Sequence, residues 1–326
     1  MKKKYVANSK YSIPYNGDIN NTIEILNSNL SNYVSEIYFA GNPIYIPSGR
    51  RPKVKYHIVN NSGAFKFDYI KYDEDLELLI TICKNIKINS NLLLNFFGNL
   101  TKSNINYIGK LIELGVNIVT IGDTTMLPVI KKQFGYKVKI QNSIFIKINS
   151  SRDYIDFQNN GMQIILVHPD YNHSHSILND ICNHVLNRDI EFKIMLNEGC
   201  LIECPFRTNE QLTAQVYSIK DSINDFVNNP NEIRPLTQSC RKILNEEGMS
   251  ISNFIHPNNL THYDEYGFTY KIVGRSFSSI NIVKTLKAYI KGDFQGDFRS
   301  IVENFKHSYS PVNRQNSFRT NFIIGE

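Results

Sequence analysis

The sequence lacks the segments that mark membrane and secreted proteins. No apolar run approaches the roughly 20 residues that cross a bilayer. Residues 1–4 are positively charged at Lys2, Lys3 and Lys4, but residues 5–9 are not the apolar stretch of a signal peptide. The sequence therefore predicts a cytoplasmic protein without a membrane partner.

Several catalytic motifs are also missing. The chain has no H-E-x-x-H, no P-loop and no G-x-S-x-G, which removes the usual support for zincin, kinase-like and α/β-hydrolase functions. Positive charge is only mildly in excess, since 36 basic and 30 acidic residues give a net charge of +6. Apart from residues 2–4 and 49–53 the basic residues are scattered, so a nucleic-acid partner is possible but is not supported by charge.

Cysteine is scarce, with five residues in 326. In a reducing compartment such cysteines are more often metal ligands or catalytic groups than disulfide partners. Cys200 and Cys204 follow an apolar run, residues 190–196, that is typical of a buried strand, and Cys240 lies further along. Two thiols at the exit of a strand can bind one metal ion or one cluster.

Short apolar runs alternate with amphipathic segments along the chain. Strands are predicted at residues 5–8, 36–40, 92–96, 117–121, 137–141, 163–167, 191–196 and 268–272. Helices are predicted at residues 19–30, 74–86, 104–114, 126–134, 176–186 and 280–290, where apolar residues recur at three and four positions.

Eight apolar strands that alternate with helices predict an α/β fold, a TIM-type (β/α)8 barrel. The runner-up is a doubly wound open sheet, which lacks support because no glycine-rich loop follows the first strand. Long loops, residues 43–72 and 200–266, follow strands 2 and 7, and loops of that length are usually functional. We expect one barrel domain over residues 1–291 and a C-terminal extension over 292–326.

Thiolates hold iron–sulfur clusters, and zinc accepts three cysteines plus a histidine. Cys200, Cys204 and Cys240 are the candidate metal ligands. Cys182 lies within an amphipathic helix expected outside the barrel, so it is a poor fourth ligand. Cys83 has a similar helical pattern and is expected in the core.

Charged residues near the ends of the last strands are candidates for substrate recognition. Arg207 and Arg275 can pair with a carboxylate or phosphate, and Lys271 alternates with apolar neighbours in a way that could point it into the barrel. His168 ends a strand and is a further substrate-binding candidate. Glu198 is a candidate acid or base, and Arg207 a second catalytic candidate.

The last third of the chain carries a recognisable signature. It consists of Phe254-Ile255-His256-Pro257-Asn258-Asn259-Leu260, then Tyr263 to Gly267, then Tyr270-Lys271-Ile272-Val273-Gly274-Arg275. A helix ending in Ala288-Tyr289 follows, and Gly199-Cys200 stands at the end of the preceding strand. This pattern resembles the peptidase U32 family, also called collagenase-like peptidases.

The resemblance implies a TIM-barrel-like fold and two kinds of activity. Several relatives are oxygen-independent hydroxylation proteins with a [4Fe-4S] cluster on four cysteines, and some work as heteromeric pairs. Cys200 and Cys240 match the first and last cysteines of that pattern, whereas Cys204 departs from it. The resemblance therefore implies a [4Fe-4S] cluster as the cofactor, and the chemistry of the thiols leaves zinc as the alternative.

The first hypothesis is an iron–sulfur enzyme that carries out an oxygen-independent redox or hydroxylation reaction on a small anionic molecule or a modified peptide or nucleotide. The alternatives are a U32-type peptidase or other hydrolase, and a non-catalytic iron–sulfur subunit that serves a protein partner or an electron donor.

Overall fold

The computed structural model describes residues 10–47, 57–59, 65–148, 150–185, 190–204, 243–244, 246–275 and 277–302. Within these residues eight parallel strands close into a barrel, and helices cover its outside. The predicted (β/α)8 barrel of the α/β class is therefore confirmed.

Ten strands are present in the described residues, eight in the barrel and two in a hairpin. In chain order they are β1 (Tyr11–Pro14), β2 (Val34–Ala40), β3 (His57–Val59), β4 (Phe65–Phe67), β5 (Asn89–Leu94), β6 (Ile118–Ile121), β7 (Lys139–Asn142), β8 (Ile164–Leu166), β9 (Glu191–Met195) and β10 (Thr269–Lys271). The order around the barrel is β1-β10-β9-β8-β7-β6-β5-β2. β3 and β4 form an antiparallel hairpin in the long loop after β2.

The first barrel strand lies later than predicted. The predicted strand at residues 5–8 lies outside the described residues, and β1 instead begins at Tyr11, which pairs with Tyr270 of β10 and Val34 of β2. Tyr11 and Ile13 are buried against the helices, whereas Ser12 faces the barrel interior. The short alternating run was overlooked because a proline ends it and Ser12 interrupts its apolar character.

The helices agree with the predicted segments to within a few residues. They are α1 (Ile19–Asn27), α2 (Tyr69–Asn85), α3 (Lys102–Leu114), α4 (Met126–Phe134), α5 (Ser151–Asn159), α6 (His175–Val185) and α7 (Ser279–Lys291). α2 begins five residues before the predicted start because the Asp68 side chain caps it by accepting from the Lys71 amide. α5 was not predicted, since its segment is mostly polar and Tyr154 is its one buried residue.

Side chains alternate between the two faces of the barrel strands, as the period of two requires. The residues that face the helices form the main apolar core, with Ile37, Val119 and Ile194 as examples. The expectation of continuously apolar strands is wrong for the side of each strand that faces the barrel interior. Polar side chains occupy much of that face: Ser12, Glu36, Asn91, Thr120, Gln141, Lys193 and Lys271.

The loop after β9 also contains regular structure. Residues 205–242 lie outside the described part, but a 3-10 helix, Pro257–Tyr266, returns the chain to the start of β10. Beyond α7, Ile301 and Val302 are buried against the main core. The division into residues 1–291 and 292–326 stays a prediction. None of the described helices is long and apolar enough to cross a membrane.

Candidate functional site

A buried ion pair fills the middle of the barrel. Lys193 of β9 and Glu36 of β2 are 0% and 1% exposed, and the lysine Nζ donates to Glu36 Oε2. Glu36 Oε1 accepts from Ser12 Oγ at 2.5 Å and from Asn91 Nδ2 at 3.1 Å. Lys193 Nζ also donates to Gln141 Oε1 at 3.0 Å. The charges are therefore satisfied on several sides, as burial demands.

The protonation of Glu36 follows from these neighbours. Burial alone would raise the pKa of this carboxyl group, but the positive charges of Lys193 and then Lys271 outweigh burial, and hydrogen bonds from Lys193 and Ser12 add to their effect. The pKa of Glu36 consequently lies below its ordinary value. The carboxylate is charged near neutral pH and holds two lysine side chains within its field.

Lys271 lies one layer nearer to the carboxyl ends of the strands than Lys193. Its partner in the register with β9 is Met195, two residues beyond Lys193. The Lys271 side chain is buried, and its Nζ lies 4.2 Å from the centre of the Tyr38 ring. The Tyr38 hydroxyl donates to the Ile272 carbonyl at 2.8 Å, so the ring beneath the ammonium is held in place.

A small apolar cluster shares this upper layer. Leu166, Met195 and Val273 are buried together and are separate from the main core, and Ile144 packs against them. Because these residues come from the carboxyl ends of neighbouring strands, they face the region where barrel enzymes place their chemistry. The mouth of the barrel thus combines a buried cation with an apolar wall.

His168 and Asp170 follow β8 and fix the neighbouring loop. The His168 Nδ1 lies 3.3 Å from the Asp170 amide nitrogen and 3.3 Å from Asp170 Oδ2. Lys147 Nζ lies 3.4 Å from the same carboxylate oxygen. The other oxygen accepts from the Glu203 amide at 3.0 Å and from Asn253 Nδ2 at 3.4 Å. Asp170 therefore ties the loop after β8 to the loop after β9.

Cys200 and Cys204 lie in the loop after β9, and both are half-buried. The Cys200 carbonyl accepts from the Asn253 amide at 2.9 Å, and the Ile202 amide donates to the Ile251 carbonyl at 3.0 Å. These bonds, with the contact from Asp170 to Glu203, hold the four-residue spacing in a defined turn. Cys240 and Arg207, the other predicted ligand and catalytic residue in this loop, lie outside the described residues.

Glu198 and Arg275 lie at the ends of the adjacent strands β9 and β10. Both side chains are more than nine-tenths buried. The buried Glu198 Oε1 has no hydrogen-bond partner in the described part of the chain. Gly274 precedes Arg275 with a φ of +144°. That backbone conformation favours glycine, which explains why a glycine stands between the strand and the arginine.

The remaining described cysteines belong to the helix layer. Cys83 lies near the end of α2, where the chain turns into the start of β5, and burial raises the pKa of its thiol to about 12. Burial, then the charge of Glu265, raises the pKa of the Cys182 thiol to about 11, and its Sγ lies 4.0 Å from the Tyr266 carbonyl oxygen. Both thiols therefore lie toward the amino ends of the strands, away from Cys200 and Cys204.

A [4Fe-4S] cluster on four cysteines does not fit this arrangement. With Cys83 and Cys182 at the opposite end of the barrel, at most three of the five cysteines can meet near the β9 exit. The raised pKa values of the Cys83 and Cys182 thiols also disfavour the thiolate form that binds metal. Among the described residues no group of three or more His, Cys, Asp and Glu side chains has the arrangement of a metal site.

Two features could not be read directly from the predicted elements: the polar interior of the barrel, and the contacts of Asp170 with the Glu203 amide and the Asn253 side chain. The signal for the interior was present, since Lys193 stands between Phe192 and Ile194 and Glu36 precedes Ile37. A charge flanked by helix-facing apolar residues in a barrel strand must face inward. The contacts of Asp170 could not be predicted, because residues 170, 203 and 253 meet through loop geometry that no local sequence pattern encodes.

Comparison with known proteins gives a match over most of the chain at low identity. No protein-family model matches the chain. An uncharacterized protease of Methanocaldococcus jannaschii is 23% identical over 310 residues, which is 90% of this chain and 84% of that protein. The structure of a U32 peptidase aligns with 68% of this chain and 81% of its own at 12% identity, with a TM-score of 0.46.

The match to the protease runs through the region that carries the signature around Lys271 and Arg275, and through nearly all of the barrel. The structure accounts for parts of that signature. Gly274 takes a conformation suited to glycine, and the Tyr289 hydroxyl donates to the Ile255 carbonyl at 2.7 Å, which joins two of its blocks. Over nearly all of its length the chain is therefore similar to a protein described as a protease, and its signature resembles that of the peptidase U32 family.

Proposed function

We propose that this protein is a hydrolase of the U32 peptidase type, with its active site at the mouth of the barrel. The observation that carries the proposal is the Glu198 carboxylate, which is 4% exposed and has a buried oxygen without a hydrogen-bond partner among the described residues. A buried carboxylate oxygen that has no partner among the described residues and lies beyond the end of a barrel strand is well placed to bind a water molecule.

Glu198 would act as the general base. It would take a proton from a water molecule while the water oxygen bonds to the carbonyl carbon of the peptide. The carbon–nitrogen bond would then break, and Glu198 would return the proton to the leaving amine. Water and the peptide are the sole reactants, and one carboxylic acid and one amine are the products.

Lys271 and Arg275 would hold an anionic group of the substrate. Lys271 is buried near the mouth of the barrel with its Nζ over the Tyr38 ring, and Arg275 is buried just beyond the end of the same strand. In a region shielded from water such a charge attracts a carboxylate more strongly than a surface lysine does. His168 at the neighbouring β8 exit remains a candidate for a further substrate contact, and Arg207 remains a predicted catalytic residue.

The proposal is tested with a variant that has no thiol in the β9 loop, Cys200→Ser, Cys204→Ser and Cys240→Ser combined. We expect this variant to cleave a casein-derived peptide mixture at a rate within about threefold of the wild type, because the proposed chemistry uses carboxylate and water. Cleavage is measured by mass spectrometry of the products.

Two results would contradict the proposal. One is a wild-type protein that leaves the whole peptide mixture intact. The other is a thiol-free variant that is folded, as judged by its circular dichroism and unfolding temperature, but has lost its peptidase activity.

A metal centre on Cys200 and Cys204 is a second candidate, supported by the turn that holds both thiols half-buried at the β9 exit. Cys240 would be the third thiolate, with either an iron–sulfur cluster or zinc as the bound group. The oxygen-independent redox or hydroxylation reaction depends on such a cluster and stays a prediction, as does a role as an iron–sulfur subunit of a larger complex.

The second candidate predicts that metal content depends on the thiols of the β9 loop. Anaerobic protein, reconstituted with iron and sulfide or with zinc, should bind metal in the wild type and lose it in the thiol-free variant. Metal content is measured by elemental analysis, and visible absorption separates a cluster from zinc. Equal metal content in both proteins would contradict a thiolate site.

A further inference from the structure

Two phenylalanine rings form a stack on one side of the barrel mouth. Phe97 follows β5 and Phe145 follows β7, and their ring centres lie 5.1 Å apart with an interplanar angle of 5°. Both side chains are half-buried. Rings from loops that are not neighbours in the barrel rarely meet face to face by accident, because stacking fixes both loops at some cost in entropy.

The exit of β6, which lies between β5 and β7, is built to let these rings meet. Gly122 ends the strand, and a Cβ atom there would lie 2.8 Å from the Phe96 carbonyl oxygen and 2.9 Å from the Phe96 nitrogen. Asp123 Oδ2 then accepts from the Gly98 amide at 3.0 Å, which fixes the loop that carries Phe97. The stack is thus part of the folded scaffold.

The position of the stack in the barrel is opposite to that of the cations. In the order β1-β10-β9-β8-β7-β6-β5-β2, β6 stands four places from β10 in either direction. Lys271 and Arg275 lie on and just after β10, whereas the phenylalanine stack spans the β6 exit. Ile144, next to Phe145, continues as an apolar surface to Leu166, Met195 and Val273.

A polar group is also available on the side of the stack. Asn95, at the end of β5, has a buried Oδ1 without a hydrogen-bond partner in the described residues. An amide oxygen accepts hydrogen bonds, so Asn95 can receive the N–H of a peptide bond. Across the mouth the side chains therefore offer an aromatic surface, an acceptor for an amide N–H, and cations.

We propose that the mouth selects peptides with a free C-terminal carboxylate and an aromatic side chain nearby. The carboxylate lies at Lys271 and Arg275, and the aromatic side chain packs on the Phe97–Phe145 stack. This specificity rests on the proposed hydrolase function and adds the substrate class to it. Because Glu198 follows β9, the strand next to β10, the bond cleaved is close to the C-terminus of the peptide.

The test measures binding without turnover. The full chain carrying Glu198→Gln is titrated by calorimetry with acetyl-glycyl-phenylalanine, with its C-terminal amide, and with acetyl-glycyl-alanine. We expect the amide to bind at least about tenfold more weakly, since it lacks the charge that pairs with the buried cations. Adding Phe145→Ala should weaken the phenylalanine peptide about tenfold and the alanine peptide much less.

Tyr136→Ala provides the matched control, because Tyr136 is a fully exposed aromatic residue near the end of α4. It should leave all three affinities unchanged. Equal binding of acid and amide would overturn the carboxylate site, and an equal effect of Phe145→Ala on both acids would overturn the aromatic site. If binding follows the expected order while the wild type hydrolyses nothing, the specificity is supported and the hydrolase function fails.

Discussion

Replacing Glu36 with alanine should lower the free energy of unfolding by about 3–5 kcal/mol, the usual effect of removing one partner of a buried ion pair. The loss removes the buried counter-ion of Lys193, which is itself fully buried, and leaves it with the partly exposed Glu191 carboxylate 3.8 Å away. Ser12 and Asn91 lose an acceptor at the same time. Urea unfolding followed by circular dichroism measures the effect.

The same experiment has an internal control. The double variant Glu36→Leu with Lys193→Met removes both charges and keeps the volume of the interior, so it should recover most of the lost stability. Ser12→Ala alone should have a smaller effect of about 1 kcal/mol, since the carboxylate keeps its other partners. A Glu36→Ala variant as stable as the wild type would show that the barrel interior is not organised around this pair.

The pH dependence of stability follows from the same carboxylate. The pKa of Glu36 is lowered in the folded state relative to its ordinary value of 4.5. A group with a lowered folded pKa contributes stability that is present above the unfolded value and is lost as the pH falls through the folded value. The stability difference between wild type and Glu36→Gln should therefore narrow below about pH 4.5.

Replacing Glu198 with glutamine should lower the rate of peptide hydrolysis by about 10²–10⁴-fold, the range expected for the loss of a general base. The shape of the side chain is preserved, and a buried carboxylate oxygen without a described partner is removed. Stability should therefore be equal to that of the wild type or higher, which is typical of an active-site residue kept at a cost. Steady-state kinetics and urea unfolding on the same samples measure both effects.

Glu113→Gln is the matched control for this variant, since Glu113 is exposed on α3. It should change neither rate nor stability. A Glu198→Gln variant with normal hydrolysis would contradict the assigned role, and one with low activity and low stability would point to a structural role for Glu198.

The barrel could be predicted because its outer face has a strong pattern. Ile37, Val119 and Ile194 mark strands whose apolar side chains meet amphipathic helices, and both periods are visible in a single sequence. β1 was misplaced because Tyr11–Pro14 is short, and α5 was missed because its segment is mostly polar. The local sequence pattern predicts that a strand or a helix is present. The residues at which a helix begins and ends depend on capping residues such as Asp68.

The candidate site could be predicted only in part. Position after a barrel strand indicated His168, Glu198, Cys200 and Arg275, because loops at that end gather at one place. The ion pair between Glu36 and Lys193 joins residues 157 positions apart, and closure of the barrel is what brings them together. The stack of Phe97 on Phe145 likewise joins the loops after two separate strands, and Gly122 lets the intervening β6 exit approach the Phe96 backbone closely.

The most direct test of the hydrolase proposal is the source of the oxygen in the product. The wild type and Glu198→Gln are incubated with a casein-derived peptide mixture in water enriched in oxygen-18, and the new C-termini are analysed by mass spectrometry. We predict one heavy oxygen in each new carboxylate made by the wild type, near the ends of the peptides, and almost none with Glu198→Gln. New termini without heavy oxygen, or equal labelling by both proteins, would contradict water activation by Glu198.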